Sequence, residues 1–128
     1  MLTRQDVGNL GEKLAEDYLC AQGYTVLETH ARASLSEAGQ ERSGEIDLVC
    51  RAPEGISVFV EVKTRTSLRF GGAAEAVDAR KLARVMRTAK AYRNRNNECG
   101  PWRIDVVAIM LSAEGELVNL DHLKDVTL

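Results

Sequence analysis

The sequence predicts an α/β domain with one mixed central sheet flanked by helices, its elements in the order αβββαββ. Three observations predict it. Apolar residues recur every three or four positions in two stretches, about 4–22 and about 79–95. Shorter runs rich in β-branched residues lie between and after them. One of these, WRIDVVAIML (102–111), is apolar enough to be a central strand buried on both faces. At 128 residues the chain has the usual size of one domain with one core, so residues 1–128 are read as a single domain.

The first helix rests on Val7, Leu10, Leu14, Tyr18 and Ala21, one apolar stripe. Gly8 and Gly11 in its first turns are poor helix formers, and they imply close approach to another element. Gly23 is placed to end the helix in the left-handed conformation. YTVLETH (24–30) reads as a strand. ASLSEAGQERSG (33–44) is polar and reads as a mobile loop. EIDLVCR (45–51) and ISVFVEVKTR (56–65) read as two strands of a hairpin that turns at PEG (53–55). SLRFGGAAEA (67–76) is a loop. The second helix has Asp78 as its N-cap, with Val77 and Leu82 as a hydrophobic staple around it. Its apolar stripe is Leu82, Val85, Met86, Ala89 and Tyr92, opposite Arg80, Arg84 and Arg87. AEGE (113–116) is a turn, and LVNL a last short strand.

Composition excludes several classes. No apolar run has the length needed to span a bilayer. The N-terminal stretch lacks the continuous apolar core of a signal peptide, so the cytoplasm is the expected compartment. Cys20, Cys50 and Cys99 form no CxxC pair and are odd in number, which argues against a zinc site and a disulfide framework. Cys20 and Cys50 are read as small core residues, and Cys99 as a loop thiol. Net charge is −2, but it is unevenly spread. Lys63 to Arg95 carries ten Lys and Arg against two acids, a segment of +8 in a chain otherwise at −10. Such asymmetry makes either a local anion-attracting surface or one solvated helix face.

The chemistry is concentrated in VFVEVK. Strand alternation puts Glu61 and Lys63 on one face and Val58, Val60 and Val62 on the other. Asp47, in the preceding strand, comes within reach of Glu61 if the hairpin turns near 52–56. Two carboxylates so placed repel each other and raise each other's pKa. A hard divalent cation offsets that, and takes phosphate oxygens as further ligands. Glu-x-Lys alone is a common surface pair. An acid inside the apolar run GEIDLV is costly unless paired or functional. Glu12 lies at the edge of the first helix's stripe, where it could reach a metal or simply pair with a neighbouring cation. His30 and His122 are read as structural in preference to phosphate or water contacts.

Gly11-Glu12, Tyr18-Leu19, Gly23-Tyr24, Gly44 to Leu48, Phe59 to Arg65, Ala76-Val77, Lys81 and Arg103 to Val107 together resemble the bacterial YraN family. That family is similar to archaeal Holliday junction resolvases and belongs to the PD-(D/E)xK nuclease superfamily. The resemblance runs from about residue 7 to 110. It implies a restriction-endonuclease-like fold and a metal-dependent endonuclease acting on DNA, branched or structured DNA included. It implies Mg²⁺ or Mn²⁺ as cofactor and a homodimer as the form suited to a four-way junction. It implies Asp47, Glu61, Glu12 and the carbonyl of Val62 as metal ligands, Lys63 as catalytic lysine and Glu45 as a supporting acid. Arg65, Arg80, Lys81 and Arg84 are the expected nucleic-acid contacts. The family often has Asn where this chain has His30, and the 33–43 segment is longer than usual. A module that binds nucleic acid, or a partner in a complex, with little cleavage of its own is the alternative.

Overall fold

The structure, a computed structural model, describes residues 2–37, 40–66 and 78–127, and over 34–37 and 40–43 the backbone alone. The expected loop at 67–76 and the staple residue Val77 lie outside these residues. The elements are α1 (Arg4–Ala21), β1 (Thr25–Glu37), β2 (Gln40–Arg51), β3 (Ser57–Arg65), α2 (Ala79–Arg95), β4 (Trp102–Leu111) and β5 (Leu117–Leu123). The strands form one sheet in the order β1-β2-β3-β4-β5. β3 and β4 run parallel, and every other neighbouring pair is antiparallel. The predicted order αβββαββ and the mixed sheet are thus observed.

The two helices cover opposite faces of the sheet. Ala15 and Leu19 of α1 pack with Leu48, Cys50, Val58, Val60, Val107 and Ile109. Val85, Ala89 and Tyr92 of α2 pack with Ala31, Ile46, Val49, Phe59 and Ile104. Alternation along β3 divides its residues between these clusters. Thr3 and Asp6 form a capping box at the start of α1. Asp78 caps α2 by accepting from the backbone N–H of Arg80 and Lys81. Gly23 ends α1 with φ +91°, as expected of a glycine that closes a helix.

Three expectations are corrected. Residues 33–44 are largely strand: β1 and β2 continue as a two-stranded arm, paired from Ala33↔Gly44 out to Glu37↔Gln40. A hairpin ladder satisfies its backbone locally, so it needs no apolar alternation to form. Cys20 is exposed, one position beyond the buried Leu19, whereas Cys50 is buried. Gly8 has no atom near its missing side chain. Gly11 does make the close approach: a Cβ there would lie 2.8 Å from the Thr64 Cβ. Gly44 does the same for the other helix, with a Cβ at 3.0 Å from the Thr88 Cβ. Among the described residues no helix is long and apolar enough to cross a membrane.

Candidate metal centre

The site forms where the sheet splits. β2 and β3 pair from Arg51↔Ser57 to Leu48↔Val60, one step short of Asp47 and Glu61. Beyond that point the Val62 backbone N–H donates to Asp47 Oδ2 at 2.8 Å. A side chain has replaced the backbone acceptor that a continued ladder would supply. Alternation fails at the same place. Ile46 and Val49 both pack in the α2 cluster, while Leu48 between them packs in the α1 cluster. Asp47 is left at the split and reaches acids on both sides.

On the α2 side stands Glu61, only 8% exposed. Burial and the Asp47 carboxylate push its pKa up to about 7, against the pull of Lys81. The Lys81 Nζ lies 2.7 Å from Glu61 Oε1. Burial disfavours that ammonium, but Glu61 and Asp47 outweigh it and its pKa is raised. Lys63 follows Glu61 on the same strand face, half-buried. Asp78 has a lowered pKa, chiefly through the N–H groups of Lys81 and Arg80, with Lys63 adding a smaller electrostatic contribution. The start of α2 therefore lies within the field of Lys63.

On the α1 side stands Glu12. The close contact of Gly11 with Thr64 of β3 brings it over the sheet. Glu12 Oε2 lies 2.8 Å from His30 Nε2. His30 Nδ1 lies 2.6 Å from Glu45 Oε1, and Arg32 is 3.3 Å from the other Glu45 oxygen. Burial and Asp47 raise the pKa of Glu12, with His30 opposing. The Glu45 hydrogen bond raises that of His30 against partial burial, and Glu12 adds to it. One ligand atom from each of Glu12, His30 and Asp47 lies within 4.8 Å of the others.

A cleft of about 320 Å³ opens beside Asp47 on the α2 side, with Glu45, Glu61, Lys81 and Arg84 among its other walls. Glu45, Asp47 and Glu61 line it, and Glu12 and the His30 imidazole meet Asp47 from the α1 side. This donor set fits a divalent cation, since the acids otherwise hold unfavourable like charges together. Of the sequence-predicted residues, Glu61 and Val62 meet Asp47 on one side and Glu12 approaches it on the other, while Lys63 follows Glu61 on the same strand face. Arg84 and Lys81 border the cleft, and Arg80 is exposed on the first turn of α2. Arg65 lies elsewhere, lining a hollow with Arg4 and Val7 at the start of α1. His30, read from sequence as structural, is part of the cluster. The signal that could have found it is the strand register, which sets it opposite Asp47 between the pairs Thr29↔Leu48 and Ala31↔Ile46.

His122 is structural. Its Nε2 meets Asp105 Oδ2 at 2.8 Å and its Nδ1 meets the Tyr18 hydroxyl at 3.0 Å. Asp105 is fully buried and also takes bonds from Arg103 and the Asp125 backbone N–H. This network ties β4 to β5 and α1.

Fold and site together define an α/β protein with a five-stranded mixed sheet and an acid–histidine cluster at the split between two strands. The chain belongs to the YraN-like family UPF0102: a family model described as "Uncharacterised protein family UPF0102" matches residues 11–109. A UPF0102 protein of Trichlorobacter lovleyi is 40% identical over 94% of this chain and 89% of its own length. One from Methylibium petroleiphilum is 42% identical over 91% and 90%. Among solved structures, the crystal structure of SSO0001 is similar, with a TM-score of 0.53 and 15% identity. That likeness concerns the fold. It covers 94% of this chain, which spans about half, 52%, of the other.

Proposed function

We propose that this protein is a divalent-metal-dependent endonuclease that hydrolyses phosphodiester bonds in DNA, with branched or structured DNA as its substrate class. One observation carries the reading. Asp47, at the split of β2 and β3, lines a cleft with Glu61, Lys81 and Arg84 and on its other side lies beside the Glu12–His30 pair. Acids alone would repel a phosphate; acids that hold a dication, beside cations, attract one. The resemblance of GEIDLV and FVEVKTR to resolvase-like nucleases supports the same chemistry.

Glu12, Asp47, Glu61 and the Val62 carbonyl would hold Mg²⁺ or Mn²⁺. When bound, such an ion supplies Lewis-acid polarisation of the phosphate and a lowered pKa for a bound water. Lys63, on the same strand face as Glu61, would orient or deprotonate the attacking water, or neutralise charge growing on the scissile phosphate. Lys81 would leave Glu61 for the phosphate. Arg80 and Arg84 would take flanking phosphates on one side and Arg65 on another. Two cuts in a four-way junction call for two copies of the site, hence a homodimer.

A second reading is favoured by the 2.7 Å Lys81–Glu61 pair, which already neutralises one acid without an ion. In it the chain binds DNA, or a complex that processes DNA, and cuts little. Purified protein incubated with linear, nicked, flapped and four-way DNA in Mg²⁺ or Mn²⁺ separates the two. Cleavage that Asp47→Ala and Lys63→Ala each abolish supports the nuclease. Binding without cleavage in either metal supports the module.

A further inference from the structure

We propose that His30 is a metal ligand through Nε2, and that with Glu12 and Asp47 it makes a site selective for a first-row transition dication such as Mn²⁺ over Mg²⁺. The inference rests on the reading of the cluster as a metal centre and goes beyond it, because it assigns a nitrogen donor and the class of ion that donor prefers.

Backbone geometry is the first support. His30 has φ +51°, in the left-handed region that few residues with side chains adopt. Two residues earlier Glu28 bonds the Tyr92 hydroxyl of α2. Regular alternation would put His30 on that same face. Instead its ring meets Glu12 of α1. The left-handed residue turns the imidazole from one side of the sheet toward the other, where Asp47 also reaches.

The second support is the order of partners around the ring. Nδ1 is held by Glu45 at 2.6 Å, and Glu45 is in turn held by Arg32. A carboxylate on one ring nitrogen fixes the ring and its tautomer, and raises the basicity of the other nitrogen. That other nitrogen, Nε2, is the one aimed at the cluster. Ligand atoms of His30, Glu12 and Asp47 lie within 4.8 Å of one another. Ligands at about 2.1 Å from one ion can be about 4 Å apart, so side-chain rotation is enough to share a centre. Imidazole suits borderline transition metals, whereas Mg²⁺ prefers oxygen and retains its waters.

The test is pulsed electron paramagnetic resonance of the whole protein loaded with Mn²⁺, together with calorimetric titration of Mn²⁺ and Mg²⁺. The expected result is a nitrogen coupling from a directly bound imidazole that His30→Asn removes. The same variant should lose roughly 10- to 100-fold in Mn²⁺ affinity and much less in Mg²⁺ affinity. The chain's other histidine, His122, is engaged by Asp105 and Tyr18, and His122→Asn should leave the coupling in place. Mn²⁺ binding without nitrogen coupling in the wild type overturns the His30 assignment and leaves the metal-centre reading standing. Equal loss of both metals in a folded His30→Asn overturns the selectivity. No binding of either ion by the wild type overturns both readings together.

Discussion

Gly11 of α1 lies against Thr64 of β3 so closely that a Cβ at Gly11 would stand 2.8 Å from the Thr64 Cβ. The contact joins the helix that carries Glu12 to the strand that carries Glu61 and Lys63. Gly11→Ala must therefore push α1 away from the sheet or rotate Thr64. The expected cost is about 1–3 kcal/mol of stability, as for an overpacked core. Glu12 should be displaced too, so Mn²⁺ affinity should fall even in the folded variant. Thermal melting and calorimetry check the two effects separately. Thr64→Ala, which removes both the Oγ1 and the methyl that a Gly11 Cβ would meet, should restore part of both in the double variant.

Glu61 should make the metal-free protein sensitive to pH. Its pKa rises from an ordinary 4.5 to about 7 through burial and Asp47. A raised pKa means that the folded state binds the extra proton, so this stabilising contribution is fully present below about 4.5. It is lost as pH rises through about 7. Melting temperature without metal should fall over that window, and Glu61→Gln should flatten the fall. Metal affinity should run the other way, rising with pH as Glu61 gives up its proton. A wild-type melting profile indistinguishable from that of Glu61→Gln would count against a buried, raised carboxyl.

Lys81 competes with any cation for Glu61. Lys81→Met removes the ammonium that lies 2.7 Å from Oε1. Divalent-ion affinity should rise roughly five-fold, the equivalent of about 1 kcal/mol. DNA affinity should fall, and its dependence on salt should become shallower by about one phosphate contact. Titrations of Mn²⁺ and of DNA at several salt concentrations test the pair of opposite changes.

Asp105 is the structural counterpart of the site acids. Burial works against its charge, but His122, the Asp125 N–H and Arg103 outweigh this and lower its pKa. A lowered pKa contributes stability that is present above the ordinary value of 3.8 and is lost as pH falls through the folded value. Asp105→Ala leaves His122 and Arg103 without their buried partner and should cost about 3–5 kcal/mol. Denaturant unfolding measures it. Metal affinity per folded molecule should stay unchanged, because none of the network's side chains belongs to the Glu12, His30 and Asp47 cluster.

Periodicity determined much of this protein from sequence alone. The ranges 79–95 and 102–111 read from the sequence are those of α2 and β4, because each is set by an apolar pattern that no distant contact needs to supply. Glu61 and Lys63 share a face by alternation within one strand. Asp47 as their neighbour followed from a hairpin turn at 53–55, where Gly55 adopts φ +92°. Tertiary structure decided the rest. Residues 33–37 and 40–44 of the polar segment became strand because each is the other's partner, and that pairing, not composition, satisfies the backbone. His30 joined Glu12 because a single left-handed residue reverses the face that alternation assigns. Asp47 reached both sides because β2 and β3 part at its position and the Val62 N–H holds it there. A repeating pattern in the sequence reports where a regular element runs. The acid–histidine cluster forms where that regularity breaks, and the breaks are fixed by what packs across them.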